Sequence, residues 1–315
     1  MIFPESLHKG DRVAIISPSS PVKEEFIDGA VDFLASEGYV PVVMCHAKGP
    51  ASGSYAATAE DRLDDLLAAW GDPSIRAILC SRGGYGAVHL LPKINHDLLR
   101  SDPKWLIGYS DISALHALLM NAGIASIHAP MAKHLTEEDS EDYAIKALMR
   151  ILRGDFPIEY TLSPHPYNLL GEAEGILAGG NLAVLNGLFG TDFDILQEGT
   201  ILFIEDISEA IYAVERMLYH ILLSGGFDKV NGIIVGRFTE YRADRNFERM
   251  EDMISDFLQR TDRLKPRIIR NHCDLCVQER SSGRRLQLFN RGGIVQHRNQ
   301  CHSACRSKQD RGKDE

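Results

Sequence analysis

No apolar run in this 315-residue chain approaches the roughly 20 residues that a membrane helix needs. The opening residues, MIFPESLHKGDR, hold no apolar stretch of signal-peptide length. Both absences predict a cytoplasmic protein. Basic charge is also short: 34 Lys and Arg stand against 44 Asp and Glu, a net charge of -10. Phosphate contacts need a basic surface, so a general nucleic-acid binder is excluded. The G-x-G-x-x-G spacing of dinucleotide sites is missing, and there is no internal repeat. Cysteine is scarce before residue 260, where only Cys45 and Cys80 occur. A disulfide framework is not expected in a reducing compartment.

What is present is a good supply of core. Hydrophobic residues make up 44% of the chain, and they fall in a regular alternation. RVAIIS (12–17), YVPVVM (39–44), IRAILCS (75–81) and KWLIGYS (104–110) read as short buried strands. Between them, residues 23–37 and 59–70 place apolar side chains at helical spacing, and ISALHALLM follows the fourth strand. Such alternation implies βαβ units and a parallel sheet. Residues 136–170 read as a connector with a helix near 141–153. A second α/β module over 171–260 has strands ILFIED (201–206) and GIIVGRF (232–238), joined by a helix over 208–223. The division is therefore 1–135, 136–170, 171–260 and a tail, 261–315.

Three segments carry chemistry. GYSDIS (108–113) lies at a strand–helix junction, where Ser110 can sit on a sharp elbow with its hydroxyl exposed. The positive end of the following helix favours developing negative charge, and the Asp111 N–H is placed to help bind an oxyanion. These six residues alone also fit a plain helix cap. RGGYG (82–86) follows another strand. Gly83 or Gly84 could bring a backbone N–H to a tetrahedral intermediate, although the segment also reads as an ordinary turn. Glu205, at the end of ILFIED, could orient a histidine as in Ser-His-acid triads. It reads equally as half of a solvated pair with Asp206. Taken singly, His116 and His128 are structural.

Together the segments resemble the LD-carboxypeptidases, serine peptidases of bacteria. The resemblance rests on GDRVAIISPSSPV (10–22), SRGGYGAVHLLPKI (81–94), PKWLIGYSDISALHALL (103–119), IHAPM (127–131), EGILAGGNLAVLNGLFGTDFDI (174–195) and ILFIEDISEAIYAVERMLYHILLSGGFDKVNGIIVGRF (201–238). It implies an N-terminal flavodoxin-like parallel sheet with flanking helices, a smaller C-terminal α/β domain and a homodimer. Ser110 matches the nucleophile and Glu205 the triad carboxylate, while Asp111, Gly83 and Gly84 match the oxyanion region. The implied reaction removes D-alanine from cytoplasmic murein tetrapeptides in peptidoglycan recycling, with no metal and no cofactor. The murein peptide is the expected partner; a membrane or nucleic-acid partner is not. Within the same family, self-immunity peptidases cleave peptide–nucleotide antibiotics such as microcin C, and an aromatic that stacks on adenine would mark that activity. A non-catalytic pseudoenzyme is the alternative from another class.

The chain departs from the family in three places. His128-Ala129-Pro130 replaces the usual His-Gly-Pro, and Ala57 replaces a glycine. More seriously, the family's histidine lies in a Gly-His pair some 70 residues after the glutamate, and no such pair follows Glu205. His272 is at a plausible distance but in the wrong context. The tail is unlike the rest: residues 261–315 hold 13 basic and 6 acidic residues and four of the six cysteines. A change of reading frame between about residues 258 and 275 accounts for this break. Codons for ERSSGRRLQLFN (279–290) can be chosen so that the next frame contains Gly-His. The competing reading is a zinc-binding tail built on His272, Cys273, Cys276, His297, Cys301, His302 and Cys305, but its second half, C-x3-C, is not a standard partner for C-x2-C.

Overall fold

The computed structural model describes residues 1–156, 158–162, 165–168, 173–261, 284–289 and 294–298, with backbone alone over 158–162, 284–289 and 294–298. His272 and the four tail cysteines lie outside the described residues, and His297 is described only as backbone.

The first module is the expected parallel sheet. Its strands are β1 (Arg12–Ile16), β2 (Val40–Val43), β3 (Ile75–Cys80), β4 (Trp105–Gly108) and β5 (Ile127–His128), in the order β2-β1-β3-β4-β5. All four pairings are parallel, and this is the flavodoxin-like order. The helices are α1 (Glu24–Ser36), α2 (Ala59–Gly71), α3 (His96–Ser101), α4 (Ser113–Asn121), α5 (Ala132–Glu137) and α6 (Tyr143–Leu152). Local chemistry explains several of their ends. The Thr58 hydroxyl accepts the Asp61 N–H at the start of α2, and Asp142 accepts those of Ala144 and Ile145 at the start of α6.

Strand pleating divides the sheet's side chains between two cores. Val13, Ile15, Ala77, Leu79, Trp105 and Ile107 face α1, α5 and α6. Ala14, Ile16, Ile78, Cys80 and Leu106 face α2 and α4. The second core does not stop at α4. It continues into the second module, through Leu182, Leu185, Ile204, Leu218, Ile233 and Phe257.

That module is a parallel sheet of β7 (Ile176–Asn181), β8 (Thr200–Ile207) and β9 (Val230–Thr239), in that order. Its helices are α7 (Leu182–Asn186), α8 (Ile211–Leu223), α9 (Gly226–Lys229) and α10 (Met250–Arg260). Between the modules runs β6 (Ile158–Leu162), whose backbone pairs antiparallel with β10 (Arg284–Phe289), which in turn pairs with β11 (Ile294–Arg298). No helix among the described residues is long and apolar enough to cross a membrane.

Two boundaries differ from the sequence reading. The fourth strand ends at Gly108, not at residue 110, because Tyr109 and Ser110 turn the chain into a short 3-10 segment, Ser110–Ile112, ahead of α4. Strand β8 runs two residues beyond Glu205, so Glu205 is within the strand and not at its end.

Candidate active site

In an open parallel sheet, ligands bind beyond the carboxyl ends of the strands where the strand order reverses. Here that place lies between β1 and β3, and the three segments that follow β1, β3 and β4 meet there. The loop after β1 (SPSSP, 17–21) is laced to the turn after β3. Ser20 donates its N–H to the Gly83 carbonyl at 3.2 Å, Tyr85 donates to Ser20 Oγ at 3.2 Å, and Arg82 Nη1 donates to the Pro21 carbonyl at 2.7 Å.

Ser110 follows β4 with φ at 63°. A non-glycine residue in the left-handed region is strained by roughly 1–3 kcal/mol, and such strain clusters at functional sites. A plain N-cap serine takes extended angles, so the helix-cap reading is set aside. The turn after β3 lies directly against this residue. A Cβ added to Gly83 would lie 2.9 Å from Ser110 Oγ and 3.2 Å from the Asp111 nitrogen, and only glycine permits that approach. Gly84, with φ at 106°, faces Ser20 instead, so of the two glycines it is Gly83 that borders the hydroxyl. The Asp111 N–H makes no turn or loop hydrogen bond among the described residues.

His116, on α4, is buried one turn behind the elbow. Its Nε2 donates to the Gly108 carbonyl at 2.9 Å, and its Nδ1 accepts from Ser126 Oγ at 2.8 Å. Burial holds its pKa down at about 4, so it is a neutral brace for the end of β4. His128, on β5, lies 5.4 Å from the Phe203 ring and 6.1 Å from His116, centroid to centroid. Burial, with His116 nearby, pushes its pKa down to about 3, and its Nδ1 has no hydrogen-bond partner among the described residues.

The second module brings Glu205 to the same region. Asn181 pairs with Glu205 across β7 and β8, and the Asn181 N–H donates to Ser113 Oγ on α4 at 2.9 Å. Gly180, with φ at 145°, makes the approach possible, because a Cβ there would collide with that hydroxyl. Opposite Glu205 the register of β9 slips: Ile204 pairs with Val235, but Asp206 pairs with Phe238. A bulge of this kind re-aims a side chain. Gly236 lies at the bulge, with Phe203 and Glu205 packed over it.

Glu205 and Asp206 are not a solvated pair. Asp206 is buried on the other face, where it accepts from Asn181 Nδ2 and from the Ala183 and Ile207 N–H groups. Glu205 Oε1 is buried without a partner among the described residues, and burial, with Asp206 nearby, pushes its pKa up to about 8. No group of three or more His, Cys, Asp or Glu that could hold a metal is found among the described residues. The region thus holds a strained serine, a glycine turn against its hydroxyl and a half-buried carboxylate whose Oε1 has no partner among the described residues. Parts of this kind can serve acyl transfer.

Residues 13–129 match the model of the LD-carboxypeptidase N-terminal domain, and residues 174–272 match that of the C-terminal domain. A protein of Bacillus subtilis named probable murein peptide carboxypeptidase is 37% identical over 238 residues, 75% of this chain and 74% of that one. The microcin C7 self-immunity protein of Escherichia coli is 29% identical over 287 residues, 79% of this chain and 82% of its own. The crystal structure of muramoyltetrapeptide carboxypeptidase from Oxalobacter formigenes superposes with a TM-score of 0.74 at 27% identity, covering 91% of this chain and 97% of that one.

Proposed function

This chain belongs to the LD-carboxypeptidase family, and from that premise we propose that it is a serine carboxypeptidase that removes the C-terminal D-alanine of a murein tetrapeptide. Its setting is peptidoglycan recycling in the cytoplasm, as a homodimer. The observation that carries the reading is Ser110, held at φ 63° with Gly83 packed against its hydroxyl. Ser110 Oγ attacks the carbonyl carbon before D-alanine, and the oxyanion forms against the N–H of Asp111 and the turn at Gly83. The C–N bond breaks, D-alanine leaves with the proton, and water frees the acyl group from Ser110. The step uses no metal and no cofactor.

The base that should take the Ser110 proton is the family's histidine, oriented by Glu205. We further propose that this chain lacks it and is a slow peptidase, its reading frame having changed between about residues 258 and 275. What supports this is Glu205, whose Oε1 has no hydrogen-bond partner among the described residues and whose carboxyl is held by burial in its protonated form more than usual. The test is D-alanine release from murein tetrapeptide beside the Bacillus subtilis relative. Release slower by about 10⁴-fold or more is expected. Equal rates would refute the impairment and make His272 the residue to mutate. Sequencing codons 255–315 tests the origin of the tail, since a shifted frame should encode an apolar strand and a Gly-His pair.

The antibiotic-cleaving alternative asks for an aromatic free to stack on a base. Neither tryptophan qualifies: Trp70 and Trp105 are each 2% exposed, with their ring N–H groups spent on the Leu99 and Glu5 carbonyls.

Gly83→Ala should separate oxyanion binding from the question of the base. The added methyl occupies the space beside Ser110 Oγ. A peptidyl boronic acid, which becomes tetrahedral on the serine, should bind the variant about 10²-fold more weakly, the order of losing one oxyanion donor. Unchanged binding would place the oxyanion elsewhere.

A further inference from the structure

Asp111 contributes more to this site than its backbone N–H. Its side chain is 2% exposed, and Oδ2 accepts two hydrogen bonds, from Ser19 Oγ at 2.6 Å and from the Ala87 N–H at 2.9 Å. The first bond ties the elbow to the loop after β1. The second ties it to the residue that closes the glycine turn. A second buried charge completes the arrangement. Arg62, on α2, is also 2% exposed; its Nη1 donates to the Pro18 carbonyl at 2.5 Å and to the Gly86 carbonyl at 2.9 Å. Its Nε reaches the Ala57 carbonyl, and its Nη2 reaches His89 Nδ1. The guanidinium thus binds the same two loops from below that the carboxylate binds from the elbow. Asp111 is also the first charge acting to keep Arg62 protonated against burial.

Buried charges are costly, and apolar residues of like volume usually serve stability better. A carboxylate and a guanidinium kept among loop carbonyls therefore point to geometry more than to stability. The geometry needed here is tight, because Gly83 must stay in contact with Ser110 Oγ, and a displacement of about 1 Å at such a site costs about 10²-fold in rate.

Given Ser110 as nucleophile, we propose that the Asp111 carboxylate, anchored by Ser19 and opposed by Arg62, is a positioning residue that holds the glycine turn 82–86 at its distance from the serine hydroxyl. The carboxylate touches no substrate. It sets the place of the groups that do.

The test uses the full chain and four variants: Asp111→Ala, Asp111→Asn, Ser19→Ala and the double Asp111→Ala/Ser19→Ala. Peptidyl boronic acid reports the tetrahedral site. Murein tetrapeptide, bound in a Ser110→Ala background, reports ground-state affinity. Asp111→Ala should weaken the boronate about 10²-fold and the tetrapeptide less than threefold. Asp111→Asn keeps an oxygen acceptor and should recover at least tenfold of the loss. Ser19→Ala leaves both buried charges in place and should fall between, adding nothing to Asp111→Ala in the double variant. Equal weakening of both ligands, or none, would overturn the proposal.

If the parent chain itself fails to bind the boronate, for want of the base or of the nucleophile, amide hydrogen exchange decides the positioning separately. Faster exchange over 83–87 in both Ser19→Ala and Asp111→Asn, with the rest of the sheet unchanged, supports it. Unchanged exchange there overturns it.

Discussion

A chimera in which residues from 261 onward are replaced by the matching segment of the Bacillus subtilis relative is expected to release D-alanine about 10⁴–10⁶-fold faster than the chain itself. Members of a triad act as a unit: once the base is lost, removing the nucleophile costs little more, because the residual rate comes from oxyanion binding and positioning. Two results should therefore appear together. Ser110→Ala in the unaltered chain should lower D-alanine release by less than about tenfold, whereas the same change in the chimera should remove the entire gain. The front of the site is ready for such a graft. Ser110 is already strained and Gly83 already lies against it, while Glu205 Oε1 is buried with no partner among the described residues. If Ser110→Ala instead costs the unaltered chain about 10⁶-fold, a base is already in place, and loss of activity in His272→Ala would identify it.

The second large effect concerns stability. Folded, the Glu205 carboxyl titrates at about 8, against an ordinary value of 4.5, because burial disfavours its charge. Between those two values the folded state holds more protons than the unfolded one, so stability falls as the pH rises from about 4.5 through about 8 and is level above. Glutamine has the shape of the protonated acid and does not ionise. Glu205→Gln should therefore melt several degrees higher than the parent at pH 9, with the difference closing towards pH 4.5. In the chimera the gap should narrow, since a histidine gives the carboxylate a donor. Melting curves of all four proteins at pH 5, 7 and 9 check this. A Glu205→Gln variant that is less stable at pH 9 would mean that the carboxylate already has a partner.

Periodicity made the first sheet legible. Apolar strands separated by helical stripes gave β1, β2, β3 and β4 and the helices α1, α2 and α4 to within a few residues, but not α3, and the flavodoxin-like order came from the family resemblance. The second module was harder. Strand β7 is ILAGGN, whose glycine pair breaks any strand pattern; its reason is spatial, the approach of Gly180 to Ser113. Helix α10 was open to the same method as the others, since Met250, Met253, Ile254, Phe257 and Leu258 recur at helical spacing and are all buried.

The parts of the site differ in the same way. Ser110 stands at a strand–helix junction that any reading of pattern finds. The opposite facing of Glu205 and Asp206, and the bulge that re-aims Glu205, depend on how β8 meets its neighbours. Arg62 gave no signal at all. A lone arginine in an amphipathic helix reads as a solvated side chain, and only the topology brings the Pro18 and Gly86 carbonyls around it.

Helix α4 has a consequence for how the molecule comes apart. Every residue from Ser113 to Leu119 is buried, because the helix is walled by the first sheet on one side and by the second module on the other. A helix enclosed on all sides cannot be exposed by separating two bodies at a hinge; both packing surfaces must be lost together. Heat should find one cooperative unit and give one calorimetric peak. Amide protons on α4 should be among the last to exchange. Ser110, three residues before this helix, is thus moored to the part of the molecule that opens last, and breathing of the loops around it leaves its footing undisturbed.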